Sequence, residues 1–201
     1  MDEMLRQLDK LKKRIEKQYD VLRAWSWFQS KYEDIDSFIY VIADAVITGE
    51  GGEDIPEGVA EHLLEYTYDK IYGALDKLIE DYYGDRLARI MDAGLISSYE
   101  DLRGYDDIVD NALAIVRTTL EVSLQKRLGE LEPAEFVEEY IRGDPRTGYS
   151  IYWAKILSLV EREIDSIVDE AVSTAMDNYG YLMEEDIESM EEELGEGEEE
   201  E

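Results

Sequence analysis

The chain has 201 residues, with 51 Asp plus Glu against 20 Lys plus Arg, one histidine and no cysteine, for a formal net charge of −31. Its 44% hydrophobic content and 3 prolines describe one or two folded units rather than a disordered chain. The lack of cysteine excludes a disulfide framework, a thiolate metal site and a cysteine nucleophile, and the charge argues against direct nucleic-acid binding, where affinity comes from Lys and Arg displacing counterions.

The opening MDEMLRQLDK lacks the apolar core of a signal peptide, and no window approaches the ~20 apolar residues that cross a bilayer. A soluble, cytoplasmic protein with no membrane contact is expected. The scarcity of Asn (2) and Gln (4) leans toward a hot habitat. Charge divides the chain in three: +3 over residues 1–31, −22 over 32–183 and −12 over 184–201. These are read as an amphipathic helix, an acidic helical body and an acidic, disordered tail.

Residues 1–48 contain neither Gly nor Pro, and apolar residues recur at Met4, Leu8, Leu11, Ile15, Leu22 and Trp25, a 3-4 spacing interrupted by Gln18. This heptad pattern suits a coiled-coil pair, with Leu8, Leu11, Ile15, Leu22 and Trp25 in a homodimer interface, and it equally suits a helix packed in a bundle. Trp27 falls on another side between Arg23 and Lys31. It reads as an aromatic anchor for a partner, or as an indole packed on the body.

The register shifts near residue 30, and Ile35, Ile39, Ile42 and Val46 begin a second helix that Gly49 ends. The loop GEGGEDIPEG follows, with Asp54 as an N-cap and Pro56 in the next first turn. A helix runs from there to about Tyr83 or on to Ala93, where Gly94 stops it. Ser97 and Glu100 have capping-box spacing, and Asp106 caps a helix that Gly129 closes. A short helix over residues 133–142, a turn over 143–148 and a long helix over about 150–179 complete the pass. No strand run or internal repeat is found. The expected fold is all-α, a bundle of about six or seven helices.

Few residues suggest chemistry. His62 stands among Glu61 and Glu65 without the second histidine that helical metal motifs use, so a surface or structural role is expected. Asp106, Asp107 and Asp110 spell Asp-Asp-x-x-Asp, which resembles the aspartate-rich motif by which all-helical prenyl-diphosphate synthases hold magnesium and a diphosphate. The resemblance covers five residues and implies a metal-dependent helical enzyme. The same carboxylates suit a helix N-terminus, where they meet free amides and the positive end of the dipole. No second such motif or neighbouring cluster of cations accompanies them. No cofactor, metal or catalytic residue is therefore assigned.

Rows of like charge are more informative. Glu57, Glu61, Glu65 and Asp69 fall at i+4 steps, as do Glu161, Asp165 and Asp169. Each like-charge pair costs a helix about 0.2–0.5 kcal/mol, so local stability does not explain the rows. Two expectations follow. One is a non-enzymatic acidic protein whose carboxylates and Trp27 bind a basic partner, standing in for phosphates on a nucleic-acid-binding protein; the other is a structural or assembly component whose acidity only maintains solubility.

Overall fold

The computed structural model describes residues 2–199. It consists of α1 (Asp2–Tyr32), α2 (Ile35–Thr48), α3 (Glu57–Asp92), a 3₁₀ turn (Tyr99–Asp101), α4 (Tyr105–Leu128), α5 (Pro133–Tyr140), a hairpin of β1 (Ile141–Asp144) and β2 (Gly148–Ile151), and α6 (Trp153–Glu199). The all-α expectation holds, with six α-helices among the described residues.

Punctuation follows the sequence closely. Asp34 caps α2 by accepting from the Ser37 N–H at 2.7 Å, and Gly49 ends it in the left-handed region at φ 66°. Helix α3 runs unbroken through Gly84 to Asp92, since Leu87 and Ile90 continue its buried stripe. Three caps lie slightly off the expected residues: α3 starts at Glu57 behind Pro56 and has no side-chain cap from Asp54. Asp101, rather than Glu100, accepts from the N–H groups of Ser97 and Ser98, and α4 starts at Tyr105 behind Gly104 instead of at an Asp106 cap. Gly104 has φ 88°, and a Cβ there would stand 2.8 Å from the Leu182 Cβ, so both the turn and its approach to α6 need glycine.

The core joins α2, α3, α4 and α6. Cross-contacts of α3 with α6 rise together in number (His62 with Glu161, Arg86 with Glu184), so these helices run parallel. Those of α4 with α6 run oppositely (Asn111 with Asn178, Ser123 with Glu163), so α4 is antiparallel to α6. The hairpin was not expected. Residues 141–144 and 148–151 pair antiparallel around the anticipated turn, with Ile141 opposite Ile151, and these four-residue strands are too short for a legible alternation.

The acidic tail is the main correction. Residues 184–199 are not a disordered segment but the end of α6, and the last two residues lie outside the described ones. Met183, Ile187 and Met190 are buried and Leu194 packs against the core. Their 4-3-4 spacing continues the helix's apolar stripe through the glutamates.

At the other end, α1 leaves the body. Residues 2–20 are exposed throughout, about 28 Å of helix at a 1.5 Å rise. Contact begins near Lys17, which pairs with Glu138 of α5 at 2.8 Å, and tightens at Phe28. The chain's three phenylalanines meet there: Phe28 lies 5.5 Å from Phe38 and 4.8 Å from Phe136.

Replacing Ile187 by Ala should lower stability by about 2–4 kcal/mol, read from denaturant unfolding, because a fully buried isoleucine leaves a cavity. An unchanged midpoint would mean that the end of α6 does not pack.

Candidate functional site

The two carboxylate rows come from the adjacent parallel helices α3 and α6, and the structure treats them differently. Between them stand His62, Tyr66 and Lys70, one per turn of α3. His62 Nε2 lies 2.6 Å from Glu161 Oε1, the Tyr66 hydroxyl donates to Asp165 at 2.7 Å, and Lys70 Nζ lies 3.4 Å from the same carboxylate. Glu161 and Asp165 therefore tie α6 to α3. This places the histidine in a helix–helix contact. Among the described residues, no group of three or more His, Asp and Glu side chains is arranged to hold a metal ion.

Glu57, Glu61, Glu65 and Asp69, by contrast, are all exposed, and among the described residues none of them has an ion-pair partner. Asp169 on α6 is likewise exposed and unpaired. Beyond Arg162, residues 163–199 hold 15 acidic groups and no basic one. Some of these are structural counterions. Arg86 of α3 grips Glu191 with two hydrogen bonds (2.8 and 2.9 Å) and Glu184 with a third (2.9 Å), and the Arg103 N–H donates to Asp186 at 3.0 Å. The Arg86 guanidinium holds the Glu191 carboxyl below its usual range. These anchors were missed by sequence reasoning, although Met183, Ile187 and Met190 in the glutamate run were their signal.

Asp106, Asp107 and Asp110 are exposed in the first turns of α4. They have the placement of carboxylates at a helix N-terminus, where the dipole favours them.

The aromatic candidates are also resolved into positions. Trp25, expected in the pairing seam, turns inward and stacks on Phe28 at 5.3 Å with its edge toward Phe136 at 6.1 Å. Trp27 is half-buried against Tyr149 of the hairpin at 6.1 Å, beside a cavity of about 280 Å³ that Tyr32, Asp54 and Trp153 also line. The rest of the seam is exposed. Leu8, Leu11, Ile15 and Leu22 are 54%, 50%, 56% and 66% exposed, as is Met4 at 60%, and Leu22 also lines a cavity of about 360 Å³ with Ala134 and Glu138 of α5.

A larger cleft of about 620 Å³ lies between α5 and the first turns of α6, with Arg127, Lys155 and Arg162 in its lining. Lys155 is paired with Glu139 at 2.9 Å and Arg127 with Glu163 at 3.2 Å, and Arg162 has no ion-pair partner among the described residues. No described helix is long and apolar enough to cross a membrane. The chain matches no protein-family model, no curated protein and no solved structure.

The Tyr66–Asp165 bond gives a pH test. Burial first, and then the bond to Asp165, push the Tyr66 hydroxyl up to about 12. A raised value means that its stabilising effect is complete below the unfolded tyrosine value near 10 and disappears as pH rises through about 12. The stability difference between wild type and Tyr66→Phe, from denaturant midpoints, should therefore shrink between about pH 10 and 12. A difference that stays constant across that window would remove the bond from the α3–α6 contact.

Proposed function

We propose that the protein is a non-enzymatic acidic interaction protein whose α3–α6 face binds a basic partner, occupying the surface with which that partner holds nucleic acid. The observation that carries this reading is the exposed row Glu57, Glu61, Glu65 and Asp69, left without cations while the neighbouring row on α6 is tied down. Carboxylates that repel one another along a helix are relieved when lysines and arginines arrive, so the mutual cost becomes part of the driving force for association. Spacing also bears on the mode. Steps of about 6 Å along one helix are too sparse to imitate a duplex, which carries one charge per ~1.7 Å of axis, so the unpaired Asp169 on α6 would share the contact. Localisation in the cytoplasm accords with this reading.

The unpartnered arm favours a second reading, that of an assembly component in which α1 makes the contacts and acidity keeps the body apart from other copies.

A fluorescent oligolysine and a DNA-binding domain preloaded on a labelled duplex serve as probes at low and physiological salt. The wild type should bind the first and strip the second from DNA, losing affinity steeply with salt. Replacing Glu57, Glu61 and Glu65 by Gln and Asp69 by Asn should weaken both by about tenfold, at a few tenths of a kcal/mol per exposed pair. A control with Glu188, Glu192, Glu193 and Glu196 replaced by Gln should change little. Equal losses in the two variants would show bulk charge alone and would sink the assignment of the site.

A further inference from the structure

The largest unexplained feature is the face of α1 that points away from the body. At 100° per residue, Met4, Leu5, Leu8, Leu11, Ile15, Tyr19 and Leu22 fall within about 120° of arc. Ala24 and Phe28, which fix the helix to the body, lie on the opposite side. The stripe is therefore not a core face awaiting a small adjustment of the arm; rotating it inward would pull Phe28 out of the phenylalanine cluster. An isolated helix of this length is marginal in water, and the arm's own ion pairs, Lys13 with Asp9 and Lys12 with Glu16, are exposed and weak. Something must cover the leucines.

We infer that a second copy does, with the two arms paired antiparallel so that Leu8 packs on the partner's Leu11 and Met4 on the partner's Ile15. Charge selects the occupant. Residues 2–20 carry 6 basic and 5 acidic groups, whereas residues 32–201 sum to −34. The arm is thus the segment on which two copies meet without strong repulsion. Charge also selects the orientation. A parallel pair sets both acidic bodies at one end, while an antiparallel pair sends them to opposite ends, tens of ångströms apart and several Debye lengths beyond each other's reach.

Side-chain chemistry agrees. Parallel pairing buries Gln18 against the partner's Gln18 between the Ile15 and Leu22 layers. With Leu8 opposite Leu11, the antiparallel seam from Met4 to Ile15 is wholly apolar, Gln18 falls at its outer end, and the flanking positions bring Gln7 to Arg14 and Leu5 to Lys12 with no like charges opposed. Shifting this pairing by one heptad would oppose Lys12 to Lys12 and Arg14 to Arg14. The pairing covers on the order of 1,000 Å² in total, the size at which a specific interface becomes stable. The inference stands on the arm and does not depend on what the carboxylate rows bind.

The chain has no cysteine, so introduced thiols report geometry without background. Light scattering on the full chain at micromolar concentration should give a dimer, and Leu11→Lys should weaken it by about a hundredfold while the far-ultraviolet spectrum of the body persists. Under mild oxidation Met4→Cys alone should stay unlinked, and a mixture of Met4→Cys with Ile15→Cys should form a crosslinked dimer. A monomeric wild type would overturn the pairing. Crosslinking of Met4→Cys to itself would overturn the orientation.

Discussion

The apolar seam of α6 is the constraint to which the other elements answer. From Ile156 to Met190 it buries residues every three or four positions against α3 and α4, in a helix whose described part past Arg162 carries no cation. Burial of that seam has to outweigh the mutual repulsion of the carboxylates it carries, and it does so because hydrophobic gain scales with covered area while exposed charges are screened. Arg86, partly withdrawn from solvent, pairs with Glu184 and Glu191, and the backbone N–H of Arg103 holds Asp186, so the crowded carboxylates become the means by which the helix end is held.

The arm follows a different balance. It is fixed at one end only, by Phe28 among Phe38, Phe136 and Tyr32, and by the half-buried Trp25 beside them. Aromatic rings bury large areas at fixed geometry, which lets a short contact determine the direction of a long helix. Toward the start of α1 the last anchor is the exposed pair of Lys17 with Glu138, and residues 2–16 are exposed. Its leucines have the pattern of a core without a core, and that mismatch between sequence and surroundings is what distinguishes an interface from a surface.

Much of this was legible in the residues. Gly49, Gly94, Gly129 and Pro133 mark helix ends because each acts on the backbone locally, whatever the tertiary setting. The seam of residues 4–22 was legible for the same reason, as a period. What stayed hidden depended on neighbours. Whether Trp25 belonged to a dimer or to the core turns on where α5 delivers Phe136, and no local pattern contains that. The end of α6 was obscured by composition, since glutamates dominate the average while Met183, Ile187, Met190 and Leu194 alone set the period. A moment, not a mean, separates an amphipathic acidic helix from a solvated tail. Among the carboxylates themselves, sequence gave two equal rows, and only the third row of His62, Tyr66 and Lys70 distinguishes them.

That distinction bears on how acidity is to be interpreted. If solubility were the sole demand, carboxylates would be interchangeable, and the cations of the body would be expected to spread evenly among them to lower the self-repulsion. They do not. Lys70 serves Asp165, Arg86 serves Glu184 and Glu191, and Arg117 lies beside Asp44 and Glu121, each joining separate elements or bracing a single turn. The row from Glu57 to Asp69, on the outer side of the same helix that carries Lys70 and Arg86, receives none. These cations hold helices together, and the row from Glu57 to Asp69 is one of several exposed carboxylate groups without an ion pair among the described residues, along with Asp106, Asp107, Asp110 and Asp169. A repulsive row kept at a cost of a few tenths of a kcal/mol per pair is inexpensive to fold, and under the proposed function its exposed, unmatched carboxylates would attract a polycation.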